Sequence, residues 1–189
     1  MESVSESVHS RRLYAFTLVE LAAVITIVIA LAALSYPVWM HFQRTAQTTA
    51  CMQNLRQIGA GLVKYLGEHD TVFPTLVMAR GSKAEQSDAL DTVLAPYVQD
   101  PRVFSCPSDA RHLGETTGTS YFWNIKLNGQ RLAGLSVNYM KMAPLDSPSR
   151  IMVIADKESF HPHLAYKINV LYADGHASQE LTFVDDSAD

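Results

Sequence analysis

The sequence predicts an α+β chain in which one long N-terminal helix, its first half suited to a membrane, packs its second half on a small antiparallel sheet. Three observations lead there. Phe16–Leu34 is a nineteen-residue apolar run whose sole charge is Glu20. From Val38 onward, apolar residues recur at helical spacing. After Asn128, segments rich in β-branched and aromatic residues alternate with turn residues.

The apolar run, at about 1.5 Å per residue, makes a helix about 28 Å long, close to the roughly 30 Å hydrocarbon core of a bilayer. It lacks the polar face that a helix of a soluble core shows every three or four residues. Before it, Met1–Ala15 is polar, with Arg11 and Arg12 as its basic residues. By the positive-inside tendency these hold the N-terminal end in the cytoplasm and send the remainder outward. Three fates of this segment compete: a signal peptide cut beyond the run near Ala32, a twin-arginine address at Ser10–Leu13, or a cut before the run that keeps the helix. Glu20 discriminates among them. A carboxylate at the centre of a membrane helix costs about 2.5–3.5 kcal/mol, less near an interface, and a disposable signal or pure anchor gains nothing from it. A chain beginning at Phe16 would place its α-amine one helical turn from that carboxylate, so a neighbour's amine can neutralise it in a side-by-side assembly. The plainer reading is an acid reaching to the cytoplasmic surface.

Beyond the run, Pro37 removes a backbone donor and weakens or kinks the helix. Leu55, Ile58, Leu62 and Tyr65 or Leu66 then form one apolar stripe, ending near Gly67. Asp88–Val98 reads as a short helix with Leu90, Val93, Leu94 and Tyr97 inward, and Asp100-Pro101 and Cys106–Asp109 as turns. Strands are expected at Leu135–Met140, Arg150–Ala155 and Tyr166–Tyr172. The last turns at Asp174-Gly175 into a short return strand near Glu180–Val184.

Composition excludes some functions. The net charge is −4 and no lysine- or arginine-rich stretch exists, which argues against a nucleic-acid partner. No Gly-x-Ser-x-Gly elbow, His-Glu-x-x-His pair or glycine-rich phosphate loop is present, so nothing recommends an enzyme. Two cysteines, Cys51 and Cys106, either close a loop of about 55 residues as a disulfide or lie buried as small apolar groups. His161, His163, Asp174 and His176 are conceivable ligands of a transition metal, and Asp156, Asp174, Asp185 and Asp186 of calcium. No run has the spacing of an EF-hand loop, and solvated turn acids are the alternative, so the expectation is no bound metal.

Ala15-Phe16-Thr17-Leu18-Val19-Glu20-Leu21 resembles the N-terminal signal of type IV pilins and type II secretion pseudopilins. The resemblance implies cleavage before Phe16 by a prepilin peptidase, methylation of the new N-terminus, and assembly through Phe16 and Glu20. Ala15 stands where that family usually has Gly, and Pro37 falls where pilins carry a helix-weakening proline. The body resembles pilin-like proteins abundant in planctomycete- and verrucomicrobia-type bacteria, through Cys51–Gly59 (C-x-x-N-L-R-Q-I-G), Cys106–Asp109 (C-P-S-D) and a closing His163…Asp174-Gly175 with ten intervening residues rather than nine. Type II major pseudopilins bind calcium in the head through oxygen ligands, which brings in Asp156, Asp174, Asp185 and Asp186; Asp156, Asp174 and His176 stand as the metal candidates of either kind, against the expectation of none. It implies a leader 1–15, a membrane and filament-core half 16–37, an amphipathic half 38–69 and a head 70–189. Expected partners are prepilin peptidase, the inner membrane and other copies or related subunits in a filament, with the head periplasmic. The rival expectation is a periplasmic binding or enzymatic domain that uses the helix only as an anchor.

Overall fold

Helix α1 spans Leu18–Glu68 in the computed structural model, which describes residues 17–139 and 144–181. The chain divides after Phe42 into two units, Met1–Phe42 and Gln43–Asp189. In the first unit the described residues are helical from Leu18 and exposed along the apolar run, with no buried residue in its most apolar window. That stretch is long and apolar enough to cross a membrane. Pro37 lies inside the helix.

In the second unit the expected stripe is buried. Leu55 and Ile58 are fully covered, Leu62 and Leu66 nearly so, and Tyr65 is half-buried. The buried face reaches further back than the sequence reading, through Met52, Cys51 and Thr48. Two glycines set how closely other segments approach it. A Cβ on Gly59 would lie 3.0 Å from Leu171 Cδ1, and one on Gly61 would lie 2.9 Å from Val98 Cγ1. The helix stops one residue past the expected Gly67, and Asp70 and Thr71 turn the chain with φ of 52° and 59°.

The segment expected as a helix over Asp88–Val98 is shorter. It holds one α-turn, α2 (Leu90–Val93), followed by a 3-10 turn at Ala95–Tyr97. Pro96 is the cause, since it lacks the N–H that would continue the α ladder. Leu90 and Leu94 are buried as expected, and Val93 and Tyr97 are half-buried. A second 3-10 turn (Pro101–Phe104) and helix α3 (Leu113–Thr117) follow.

The sheet is a four-stranded antiparallel array in sequence order: β1 (Tyr121–Trp123), β2 (Met152–Asp156), β3 (Val170–Tyr172) and β4 (Ala177–Ser178). Tyr121 pairs with Asp156 and Trp123 with Ile154, while Leu171 pairs with Ile154 and Ala177. The α+β expectation therefore holds, although the strands differ in detail. Leu135–Met140 is no strand over its described residues: Val137 makes one isolated bridge with Leu145, and Ser136 and Asn138 beside it favour the sheet poorly. β3 is only the second half of the expected Tyr166–Tyr172, because Lys167 adopts φ 60°. The return strand begins directly after the Asp174-Gly175 turn, at Ala177, and so precedes the expected Glu180–Val184, of which residues 182–184 lie outside the described residues. Leu171, Ile154 and Trp123 join the α1 stripe, Leu94, Phe104 and Leu127 in one buried cluster.

Candidate functional site

Two places gather chemistry, the start of α1 and the buried seam of the head. At the start, Glu20 Oε2 accepts hydrogen bonds from Thr17 N–H and Thr17 Oγ1, both at 2.9 Å, and Glu20 N–H donates to Thr17 Oγ1 at 3.2 Å. This is a capping box, in which a Thr and a Glu three residues on satisfy each other's orphan amides. Thr-x-x-Glu ahead of an apolar run is a readable signal for it, and the sequence reading overlooked it. Glu20 thus has a local task that a plain anchor also uses, so its presence alone does not separate anchor from assembly subunit. At the other end of the apolar run stand Tyr36 and Trp39, both exposed, amphipathic rings of the kind that settle at a bilayer interface. Ala15 and Phe16 lie outside the described residues.

The seam begins with Cys51 and Asn54, one helical turn apart on α1. Cys51 is bonded to Cys106, with Cα atoms 5.1 Å apart. Asn54 Nδ2 donates to the Ser105 carbonyl at 2.9 Å. The two residues therefore grip adjacent positions, Ser105 and Cys106, at the entry to the Cys106–Asp109 turn. Asp109 shapes that turn from within: its Oδ2 accepts from Ser120 Oγ (2.7 Å) and Gly114 N (2.9 Å), and its Oδ1 from Arg111 N (3.2 Å). Burial works against the charge on Asp109, but the hydrogen bonds from Ser120, Gly114, Leu113 and Arg111 outweigh it and hold the carboxyl below its ordinary value.

Beside the disulfide lies His161, fully buried. Its Nε2 is 3.7 Å from Cys106 Sγ and 3.4 Å from Asp156 Oδ2. Its Nδ1 meets Thr48 Oγ1 at 3.0 Å, and His163 Nε2 meets the same hydroxyl at 3.0 Å. Thr48 Oγ1 also reaches the Arg44 carbonyl at 2.9 Å, so one hydroxyl ties the helix backbone to both rings. His161 therefore turns Nδ1 toward Thr48 and Nε2 toward sulfur and carboxylate. Asp156 sits at the end of β2 with its side chain wholly covered, and its Oδ2 accepts from Asn169 N (2.7 Å) and Nδ2 (3.2 Å). Burial raises the Asp156 carboxyl above its ordinary value, against the opposing hydrogen bonds of His161 and Asn169.

The metal candidates do not converge as one set. Asp174 and His176 pair with each other on the half-exposed turn between β3 and β4, with Nδ1 2.5 Å from Oδ1, and the His176 ring stacks on Tyr172. Asp156 faces His161 in the interior instead. His161 and His163 sit on a loop rather than a strand, yet both reach Thr48. Asp185 and Asp186 lie outside the described residues. In the comparisons with known proteins, the chain matches no family model, no curated protein and no solved structure.

Proposed function

We propose that this chain is a non-catalytic subunit of a pilin- or pseudopilin-like filament, trimmed before Phe16, methylated there, and assembled through its apolar helix. The observation that carries the reading is that one helix, α1, supplies both the bare apolar segment behind the Phe16…Glu20 signal and the spine of the head's buried cluster. Bare apolar surface on this scale needs lipid or neighbouring helices to cover it. In the filament, Glu20 keeps its bonds to Thr17 and meets the freed amine of an adjacent subunit. The partners on this reading are prepilin peptidase, the inner membrane and sister subunits, with the head outside the cytoplasm and no bound cofactor required.

The capping box favours a second reading, a membrane-tethered domain with α1 as anchor, because helix initiation alone then accounts for Glu20. Glu20→Gln separates the two. Glutamine retains the box, since its carbonyl oxygen accepts the Thr17 amide, but it removes the charge. The variant is expected to insert as wild type and to lose filament assembly in a reconstituted system. Normal assembly by the variant sinks the charge-pairing account. The mature N-terminus, read by mass spectrometry, checks the processing: methylated Phe16 supports the subunit, whereas a chain intact from Met1 or beginning near Ala33 refutes it.

A further inference from the structure

We propose that the head holds a zinc site in its dithiol form, built from Cys51, Cys106, His161 and Asp156. The sulfurs and a ring nitrogen of His161 already lie within 4.8 Å of one another, all three residues buried. Zinc bonds of about 2.3 Å to sulfur and about 2.0–2.2 Å to nitrogen or oxygen, set at tetrahedral angles, place nitrogen and sulfur about 3.6 Å apart and nitrogen and oxygen about 3.3 Å apart. His161 Nε2 stands 3.7 Å from Cys106 Sγ and 3.4 Å from Asp156 Oδ2, which are two edges of that tetrahedron. The outer supports are present as well. Thr48 holds the Nδ1 edge of His161 so that Nε2 faces the sulfur and the carboxylate, and Asn169 orients the carboxylate. Asp156 Oδ1, though buried, has no hydrogen-bond partner among the described residues. Two thiolates and a carboxylate with one imidazole form a donor set of the type zinc prefers.

The disulfide and the metal exclude each other. A dithiol reductant opens the bond in two exchange steps: its own disulfide forms, and Cys51 and Cys106 receive two electrons and two protons. The sulfurs then part, and the incoming zinc displaces the two thiol protons as both thiolates bind. Reoxidation by a disulfide oxidant reverses the electron count, reforms the Cys51–Cys106 bond and releases the ion.

The experiment uses the full chain in detergent, reduced without oxygen and freed of metal by chelation, with Co²⁺ as the spectroscopic probe and Zn²⁺ as competitor. One Co²⁺ per chain is expected, with thiolate-to-cobalt charge-transfer and tetrahedral d–d bands that Zn²⁺ abolishes. The oxidised chain and a Cys51→Ser/Cys106→Ser chain are expected to show neither. Thr48→Val, which loses the bond to His161, is expected to weaken binding about tenfold while keeping the bands. Asp156→Asn is expected to weaken it tenfold or more and to shift the d–d bands. A reduced wild type with two titratable thiols and no charge-transfer band overturns the proposal without reference to any variant. Unchanged bands and affinity in both His161→Ala and Asp156→Asn overturn it too.

Discussion

Removing the Cys51–Cys106 bond tests the head's energetics most directly. The bond joins residues separated by 55 positions, fastening α1 to the turn ahead of α3. In the chain-entropy account, a closed loop of that length removes about 14 cal/mol/K from the unfolded ensemble, or about 4 kcal/mol at 25 °C. For a head of this size, 1 kcal/mol moves Tm by about 2–4 °C, so reduction should lower Tm by about 8–16 °C. The assay is thermal and denaturant unfolding of the full chain in detergent, followed by near-ultraviolet circular dichroism, with and without a phosphine reductant. A chelator is needed in both arms, because zinc in the dithiol form would restore part of the loss. Since the effect lies in the unfolded chain, the denaturant slope should also rise on reduction. A Tm that falls by less than about 2 °C while both thiols titrate as free would refute the reasoning.

Gly114→Ala should cost about 1–3 kcal/mol, because its Cβ would sit 2.2 Å from Ser105 Oγ and 3.0 Å from Ser120 Oγ, against the turn that carries Cys106. Gly67→Ala meets nothing within 4 Å and should instead add about 0.5–1 kcal/mol; chemical denaturation of the pair checks both signs. Asp109 binds its proton less tightly in the folded state than in the unfolded chain. Its contribution is therefore complete above its ordinary value of 3.8 and is lost as pH falls through its lower folded value. Asp109→Asn should accordingly be less stable than wild type near neutrality, with the gap closing in acid. Parallel Tm-versus-pH curves for the two proteins would count against this.

What the sequence disclosed follows from how local each signal is. The stripe from Leu55 to Leu66 was legible because a period near 3.6 is written into consecutive residues, and Asp174-Gly175 because its turn chemistry is local. β1 escaped notice because three residues, Tyr121–Trp123, are too few to show a period. The extent of Asp88–Val98 was overstated because inward-facing Leu90 and Leu94 suggested a continuous helix, and Pro96 overrode them. At the seam, the two cysteines left a Cys51–Cys106 bond as one of two readings, which the structure bears out, but no local pattern announced the Ser105 carbonyl as what Asn54 holds. The meeting of His161 with Thr48 spans 113 positions, and only tertiary folding brings the two together. The Thr17–Glu20 box, in contrast, was fully written in four residues and was passed over for a more distant explanation of the same acid.

The head's interior takes Cys51, Met52, Leu55, Ile58, Leu62 and Leu66 from α1. A water-soluble version for crystallisation or antibody work must therefore be severed upstream, near Gln43, where the greasy segment has ended and Thr48 is still retained. Shortening it a few turns further would strip the wall against which the strands fold, leaving Leu171 and Ile154 facing solvent and a product prone to precipitate.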